Sequence, residues 1–423
     1  MHVDLRTRRD EPRAAVDPEQ FFTDDLPDAI ARHAELIRPG VDWIRPKPLT
    51  IAVNGHEWTL AHTLDAPRGI AGSGVTLSDG GGGRTRIVLD PAHLDDLVSD
   101  QQSMMGLWVG GTIGGDGEGK LGDALNWWLV LRAALDGAPV YTPGSVDLND
   151  ADGRPLALDR TFRFGVDDPA EMHEFLVRAG FLHIGGLFED SEMDAVSADM
   201  DRAVPNYSQG DGRSWWARSA DGTDHLVRMQ GFDHESDVAR DLLGDRRFLD
   251  LADLSHAGHR FARKRSDNWI EALFKPLGIV AGVSDIGWHK DCGIGRHSYD
   301  CCGMTVGISV TGAGPTSGQL HALAGSHRAL VWSGSLQPHV GLPDVPLATE
   351  KGDVTIHLSC TMHMAQPPET DVRRVMYSGF SLPPLPANDG AGPTSDERAA
   401  ALARNSALRE QAPLTALARN VHS

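Results

Sequence analysis

The sequence has few cysteines and no long apolar run, and each shortage excludes a class of protein. Four cysteines in 423 residues are too few for a disulfide framework, which favours a reducing compartment. No apolar run approaches the roughly 18 residues that a membrane-spanning helix needs. The first residues also lack the apolar core of a secretion signal. We therefore expect a cytoplasmic protein without membrane insertion.

Positive charge is also in short supply. The chain has 39 lysines and arginines against 59 aspartates and glutamates, a net charge of −20. Because phosphate backbones repel such a chain, nucleic acid is not an expected partner. The apolar content of 40% is enough for real cores, and the length predicts two or three domains. With 47 glycines and 25 prolines, the composition favours short strands and many turns.

A β-hairpin is the first local structure that the sequence predicts. Leu49–Val53 carries its larger apolar residues at every second position, and 56–60 follows as a second candidate strand. Asn54 and Gly55 join them, and Asn-Gly between two such runs is the strongest short hairpin signal.

The same third of the chain continues with one more strand and two helices. Thr85–Leu89 reads as a strand, 91–97 as a short helix, and 124–135 as a longer helix with Asp123 at its N-cap. These elements predict a small α+β domain over residues 45–142. The preceding residues 1–44 mix both charge signs with several prolines, so we expect an arm there with at most short helices.

This small domain resembles the sterol-carrier-protein fold. The resemblance rests on the hairpin, on "IVLDPAHLDDLV" and "GLWVGGTIGGDG", and on the closing apolar helix. It implies lipid binding in an apolar tunnel. The alternative is a packing or dimerisation module, through which the chain forms a homodimer. The glycine-rich stretch lacks the Lys-Ser/Thr ending of a P-loop, so phosphate binding is not expected there.

The clearest helix signal follows the polar stretch "DLNDADGRP". Asp168 can cap a helix that has Pro169 at its first position, Glu171 completes a pattern like a capping box, and Gly180 ends it. A strand over Phe181–Ile184 comes next. From 279 to 382 the pattern predicts short strands and turns without a long helix.

Candidate metal ligands lie within that strand-rich region. His289 and Asp291 are two residues apart, which on an extended strand places both on one face. The spacing alone is weak, because three other histidines also precede an acid by two residues: His2, His33 and His93. Only His289 is followed by a second segment that could supply the remaining ligand, namely a turn and strand over 352–358 and then His363.

Two histidines and one carboxylate form the facial arrangement typical of non-haem Fe(II) oxygenases. Fe(II) with one aspartate and two neutral imidazoles has a net charge of about +1, which favours a dianionic 2-oxo acid. An arginine suits the distal carboxylate of such an acid. We choose Arg374 for that role, with Arg373 as the competitor. His357 is an alternative distal ligand to His363, although its place inside the apolar strand "VTIHL" favours packing or support of a ligand.

Residues 165–382 resemble the phytanoyl-CoA dioxygenase family of Fe(II)/2-oxoglutarate-dependent oxygenases. The resemblance is carried by "FLVRAGFLHIGGLF", "WHKD", "SGQLHALAGSHR" and "GDVTIHLSCTMHMAQPPETDVRR". It implies an α+β chain built on a double-stranded β-helix, a cupin-like jelly roll with flanking helices. It also implies His289, Asp291 and His363 as iron ligands and Arg374 as the 2-oxoglutarate anchor. Ala324 departs from the family, which usually has proline there.

The reaction implied by the resemblance uses O2 and decarboxylates 2-oxoglutarate to succinate while it hydroxylates a small, largely apolar molecule of acyl or natural-product type. Asp291 matters because related halogenases lack this carboxylate, so hydroxylation is expected rather than halogenation. In this layout residues 143–164 are a linker, 165–385 the oxygenase domain and 386–423 a helical tail.

Two other functions fit the same residues. The chain could be a lipid or metabolite carrier in which the barrel has lost turnover, and the N-terminal domain motivates that alternative. A zinc-dependent hydrolase would use the same histidine and aspartate ligands without oxygen. Cys292, Cys301 and Cys302 lack paired spacing, so a structural zinc site is not expected. Trp215 and Trp216 could line a substrate entrance or form an ordinary packed pair.

Overall fold

The computed structural model describes residues 15–64, 69–100, 103–109, 121–261, 270–292, 303–331 and 341–381. The α-helices are α1 (Pro18–Gln20), α2 (Leu26–Arg32), α3 (Ala34–Ile44), α4 (Pro91–Val98), α5 (Met104–Val109), α6 (Leu121–Asp136), α7 (Pro169–Ala179), α8 (Asp190–Ala203), α9 (Asp237–Gly244) and α10 (Arg246–Leu249). The strands of the N-terminal part are β1 (Leu49–Val53), β2 (His56–His62), β3 (Val75–Asp79) and β4 (Thr85–Leu89). The remaining strands are β5 (Thr161–Phe162), β6 (Phe181–Ile184), β7 (Ser214–Ser219), β8 (Asp224–Gln230), β9 (Glu271–Lys275), β10 (Ile279–Gly282), β11 (Gly303–Ser309), β12 (Leu320–Leu323), β13 (Asp344–Leu347), β14 (Val354–Leu358), β15 (His363–Ala365) and β16 (Arg373–Ser381).

The chain is a mixed α+β protein with a large antiparallel sheet, as predicted. Nine strands form this sheet in the order β10-β7-β8-β9-β16-β11-β14-β6-β5, and only the last pair is parallel. A smaller sheet has the order β13-β12-β15. None of the described helices is both long and apolar enough to cross a bilayer.

The large sheet presents two different faces because successive strand residues point to opposite sides. Along β16, Met376 is buried in the main core, where α7 and α8 also contribute buried side chains. The next residue, Tyr377, lines a cavity that Leu320 and His363 of the small sheet also line. The cavity therefore lies between the two sheets.

The predicted hairpin is confirmed: β1 and β2 pair antiparallel around Asn54 and Gly55, which both have positive φ. β4 pairs parallel to β1, so the N-terminal sheet has the order β3-β2-β1-β4. The helix predicted over 124–135 is also present, but it begins at Leu121. Asp123 does not cap it, because its buried carboxylate accepts a hydrogen bond from the Thr85 hydroxyl at 2.7 Å.

Residues 18–44 do not form the expected arm. They are mostly helical, and their apolar side chains belong to the same core as β1 and α6. Two of the three prolines lie where a helix tolerates them. Pro18 and Pro27 lie in first turns, where no backbone N–H is needed, whereas Pro39 lies inside α3. The segment is therefore part of the N-terminal unit.

The expected linker also takes part in the fold. Thr161 and Phe162 add β5 to the edge of the large sheet. Tyr141 and Val146 pack in a cluster with Trp288, which precedes His289 in the sequence. The N-terminal part of the chain is thus in contact with the strand-rich part. The predicted helical tail lies outside the described residues.

The helix signal at Asp168 is confirmed. Its carboxylate accepts a hydrogen bond from the Ala170 N–H at 3.0 Å, and Gly180 ends α7 with a φ of 87°. Glu171 forms no capping box and instead pairs with Arg160. β6 follows directly, so α7 leads into the sheet at its predicted position.

Candidate metal centre

His289, Asp291 and His363 come together although they are far apart in the chain. The backbones of His289 and His363 exchange two hydrogen bonds, both 2.9 Å long, which places their rings side by side. Asp291 Oδ1 lies 3.5 Å from His289 Nε2 and 3.6 Å from His363 Nε2. One donor atom from each residue lies within 4.8 Å of the others. Ligands about 2 Å from one ion lie roughly 3–4 Å from each other, so the spacing suits a single metal ion.

Backbone carbonyls orient both imidazoles. His289 Nδ1 lies 2.8 Å from the Gly287 carbonyl oxygen, and His363 Nδ1 lies 2.9 Å from the Thr361 carbonyl oxygen. Because a carbonyl only accepts hydrogen bonds, each Nδ1 carries the proton and each Nε2 keeps its lone pair. Both lone pairs face Asp291, and neutral imidazoles held in this way are the usual histidine ligands of metals.

The protonation states follow from burial and charge. Burial lowers the pKa of His363 well below 6.5, and the neighbouring His357 and His289 lower it further. Burial would raise the pKa of Asp291, but the neighbouring His363, His289 and His357 hold it well below its usual range. At neutral pH Asp291 is therefore a carboxylate and His363 a neutral imidazole, and both of these groups bind metals.

His357 and Thr305 both contact Oδ2, the second carboxylate oxygen of Asp291. Thr305 Oγ1 donates to Asp291 Oδ2 at 2.8 Å, and His357 Nε2 lies 3.4 Å from the same atom. His357 is 1% exposed and its ring centroid lies 4.0 Å from that of His363. His357 therefore packs against Asp291 and His363 and is not one of the three candidate ligands.

A cavity of about 610 Å³ opens beside these residues. Its apolar wall includes Trp215, Phe261, Leu273, Val283, Ile286 and Leu320. Arg228, Glu271 and Lys275 add charge on the same wall. Arg228 Nη1 pairs with Glu271 at 3.0 Å and its guanidinium lies 4.0 Å from the Trp215 ring centroid. Sequence reasoning missed these three residues, although the alternation in "EALFK" places Glu271, Leu273 and Lys275 on one face.

Comparison with known proteins identifies the strand-rich part. Residues 176–376 match the sequence profile of the family described as phytanoyl-CoA dioxygenase (PhyH). This segment is a phytanoyl-CoA dioxygenase domain. The protein is accordingly an Fe(II)/2-oxoglutarate-dependent oxygenase that uses O2, as the sequence resemblance implied. The match does not include residues 45–142, so the sterol-carrier resemblance there is unsupported.

Solved structures give weaker likenesses to the chain. AviO1 from Streptomyces viridochromogenes Tue57 is 21% identical over 54% of this chain and 97% of that one, with a TM-score of 0.39. The epimerase SnoN in complex with Fe3+, alpha ketoglutarate and nogalamycin RO is 19% identical over 59% and 97%, with a TM-score of 0.40. EctD from S. alaskensis with 2-oxoglutarate and 5-hydroxyectoine is 16% identical over 57% and 86%, with a TM-score of 0.41. No curated protein matches the chain.

Arg374 does not occupy the place expected of a 2-oxoglutarate anchor in this phytanoyl-CoA dioxygenase domain. It points away from the cavity and toward α8, where it pairs with Asp201 at 2.8 Å and donates to the Ser197 hydroxyl at 2.9 Å. The choice of Arg374 therefore disagrees with the geometry. Arg373 and Arg374 are adjacent on β16, and neighbouring strand residues face opposite sides.

Arg373, the competitor, is on the inner face. It is 4% exposed, and its Nη2 lies 3.3 Å from the hydroxyl of Tyr377, which lines the cavity. Its Nη1 donates to the Gly318 carbonyl, and its Nε is buried without a hydrogen-bond partner. Lys275 is its direct neighbour across the strands. Lys275 is itself paired with Asp285 at 2.5 Å, whereas Arg373 contacts two neutral groups, the Gly318 carbonyl and the Tyr377 hydroxyl.

The tryptophan pair and the cysteines are the remaining candidates from the sequence. Trp215 lines the cavity, whereas Trp216 donates to the Ser214 hydroxyl at 2.9 Å. Cys292 and Cys360 are buried. Cys301 and Cys302 lie outside the described residues.

Proposed function

We propose that His289, Asp291 and His363 are the iron ligands of this oxygenase and that it hydroxylates a small molecule held in the adjacent cavity. The observation that carries the proposal is the convergence of two oriented imidazoles and one carboxylate at the cavity wall. Two nitrogen donors and one carboxylate that leave open positions suit Fe(II) better than a closed structural zinc site.

The bound iron would supply the oxidation of a substrate C–H bond together with the decarboxylation of 2-oxoglutarate to succinate. The residues of the chain have separate tasks around it. His289 and His363 would present Nε2, and Thr305 would keep Asp291 turned toward the metal by its hydrogen bond. The apolar wall would keep water away from the substrate during the reaction.

Arg373 is the proposed anchor of the distal carboxylate of 2-oxoglutarate, in place of Arg374. The Arg373 guanidinium is buried, its Nε–H has no hydrogen-bond partner, and it contacts the neutral Gly318 carbonyl and Tyr377 hydroxyl, so it can bind an incoming dianion. Tyr377 and Lys275 would add a second donor and positive potential. The bond of Arg373 to the Gly318 carbonyl fixes the plane of its fork, which favours two-point binding of a carboxylate.

The fold of the domain is proposed to be a double-stranded β-helix. The strand order β9-β16-β11-β14 in the large sheet and β13-β12-β15 in the small one supports it. The backbone bridge between His289 and His363 extends the small sheet by one more segment. We propose an oxygenase domain over 165–385 and an N-terminal domain that includes residues 18–44 with 45–142. A cytoplasmic location and a homodimer through the N-terminal domain stay predictions.

The substrate is proposed to be a small molecule with an apolar body and a polar group. Most of the cavity lining is aliphatic or aromatic, which favours the largely apolar acyl or natural-product type. The charged pair of Arg228 and Glu271 on the same wall offers both donors and acceptors to a polar substituent.

The test uses anaerobic protein with Fe(II) and 2-oxoglutarate. The parent protein should show the weak visible charge-transfer band of the ternary complex, and His289→Ala should abolish it. His234→Ala, at an exposed histidine outside the cluster, is the matched control and should keep the band. Bound iron without a band would contradict the proposal, and metal analysis that finds only zinc would favour a hydrolase.

A further inference from the structure

Lys290, which separates His289 from Asp291, is buried and tied to a turn elsewhere in the chain. Its ammonium donates to the carbonyl oxygen of Ser326 at 2.9 Å and to that of Ala329 at 3.2 Å. Only 2% of Lys290 is exposed. Because an ammonium is costly to bury, a lysine that only filled space here would be less favourable than an apolar side chain.

The same turn holds the segment of the third candidate ligand. The hydroxyl oxygen of Ser326 accepts a hydrogen bond from the backbone N–H of Met362 at 2.7 Å, and Met362 directly precedes His363. Ser326 is completely buried. One residue therefore holds both ligand segments, the first through its carbonyl and the second through its hydroxyl.

The turn is itself fixed to the end of α7. The Gly325 N–H donates to the Ala179 carbonyl at 2.8 Å, and His327 Nε2 lies 2.8 Å from the Val177 carbonyl oxygen. Burial lowers the pKa of His327 to about 4, so its ring is neutral and Nε2 donates to that carbonyl. A turn held in this way cannot shift without moving the helix.

We propose that Ser326 and Lys290 are positioning residues that set the spacing of the three candidate ligands before a metal ion arrives. The proposal rests on the proposed function, because it concerns the same three ligands. Residues that orient ligands from behind typically change metal affinity by about 10- to 100-fold when they are lost. Neither residue is placed to touch substrate, so neither is a catalytic residue.

Replacing Lys290 distinguishes two explanations of its role, because they predict opposite changes in metal affinity. If its charge acted directly on the metal, then Lys290→Met would remove a repulsion and the metal would bind more tightly. If Lys290 acts by holding the backbone between two ligands, the same substitution weakens binding.

The experiment measures Mn(II) binding to the full chain, with free Mn(II) followed by electron paramagnetic resonance. Ser326→Ala and Lys290→Met should each raise the Mn(II) dissociation constant about 10-fold or more. Ser236→Ala is the matched control. Ser236 is also a buried serine whose oxygen accepts from a backbone N–H, that of Ala239 at 3.0 Å, but it caps α9. The control should lower the thermal midpoint without changing the dissociation constant.

Conservative variants and a double variant sharpen the result. Ser326→Thr and Lys290→Arg keep the hydrogen-bonding groups and should restore binding to within about threefold of the parent. Because both residues act through one turn, the double variant should lose less than the product of the two single losses. If Ser326→Ala does not fold, as judged by circular dichroism, Lys290→Met alone decides.

The experiment distinguishes failure of the positioning role from failure of the proposed metal site. Variants that bind Mn(II) within twofold of the parent, while their thermal midpoints fall like that of the control, would overturn the positioning role alone. A parent protein that binds no Mn(II) would overturn the proposed metal site, and the positioning role with it.

Discussion

The two neighbouring arginines of β16 give the sharpest prediction. Replacing Arg373 by methionine should remove the proposed anchor of 2-oxoglutarate, whereas the same change at Arg374 should leave 2-oxoglutarate binding intact. Truncating one partner of a buried, hydrogen-bonded charge pair costs about 2–5 kcal/mol, so the dissociation constant should rise roughly 30- to 4,000-fold in Arg373→Met.

Arg374→Met should affect folding stability slightly and not the binding of 2-oxoglutarate. Its partner Asp201 is 62% exposed at the side chain, and exposed ion pairs contribute about 0–1 kcal/mol to stability. Arg374→Met should therefore lower the free energy of unfolding slightly and leave the dissociation constant of 2-oxoglutarate within about twofold.

The assay is an anaerobic titration of the Fe(II)-loaded protein with 2-oxoglutarate, followed by the visible charge-transfer band. Urea unfolding of both variants checks that the difference is not one of stability. If Arg374→Met lost 2-oxoglutarate and Arg373→Met retained it, the assignment of faces along β16 would be refuted.

The other predictions concern stability. His327 has a pKa of about 4 in the fold against an ordinary 6.5, so the unfolded chain binds a proton more readily and stability falls as the pH drops from 6.5 toward 4. At pH 5 the loss is about 2 kcal/mol; urea unfolding of His327→Gln should show a shallower decline, and parallel profiles would contradict this. Gly352 has a φ of +81°, and a Cβ there would lie 2.1 Å from the Phe188 carbonyl oxygen. Gly352→Ala should therefore cost more than the roughly 1–2 kcal/mol of left-handed strain, whereas Gly55→Ala, with a φ of +83° and open space, should cost only that strain; equal losses in thermal unfolding would show that the clash is relieved.

Local signals in the sequence were enough to predict several elements. Asn54 and Gly55 specify their hairpin because both must adopt positive φ, which few other residues do cheaply. Asp168 and Gly180 bound α7 by capping. The grouping of His289, Asp291 and His363 was predicted from spacing and family resemblance, and the three side chains do lie together.

Other features depend on tertiary structure, which the sequence does not display. A change of one residue in strand register moves every side chain to the other face, so pattern alone could not separate Arg373 from Arg374. The prolines of residues 18–44 suggested an arm because proline usually interrupts helices, yet tertiary burial of Phe22, Leu26 and Ile30 outweighs that cost. Arg228 was missed because it meets Glu271 only through pairing of β8 with β9.

The reciprocal backbone hydrogen bonds between His289 and His363 have a consequence for the order of events in the cell. The segments that contain His289 and His363 are remote in sequence. They must pair before the two imidazole rings can contact the same ion. The full set of three donor groups therefore exists only after these two stretches have paired, so the spacing of the set is a property of the folded domain and not of either segment alone.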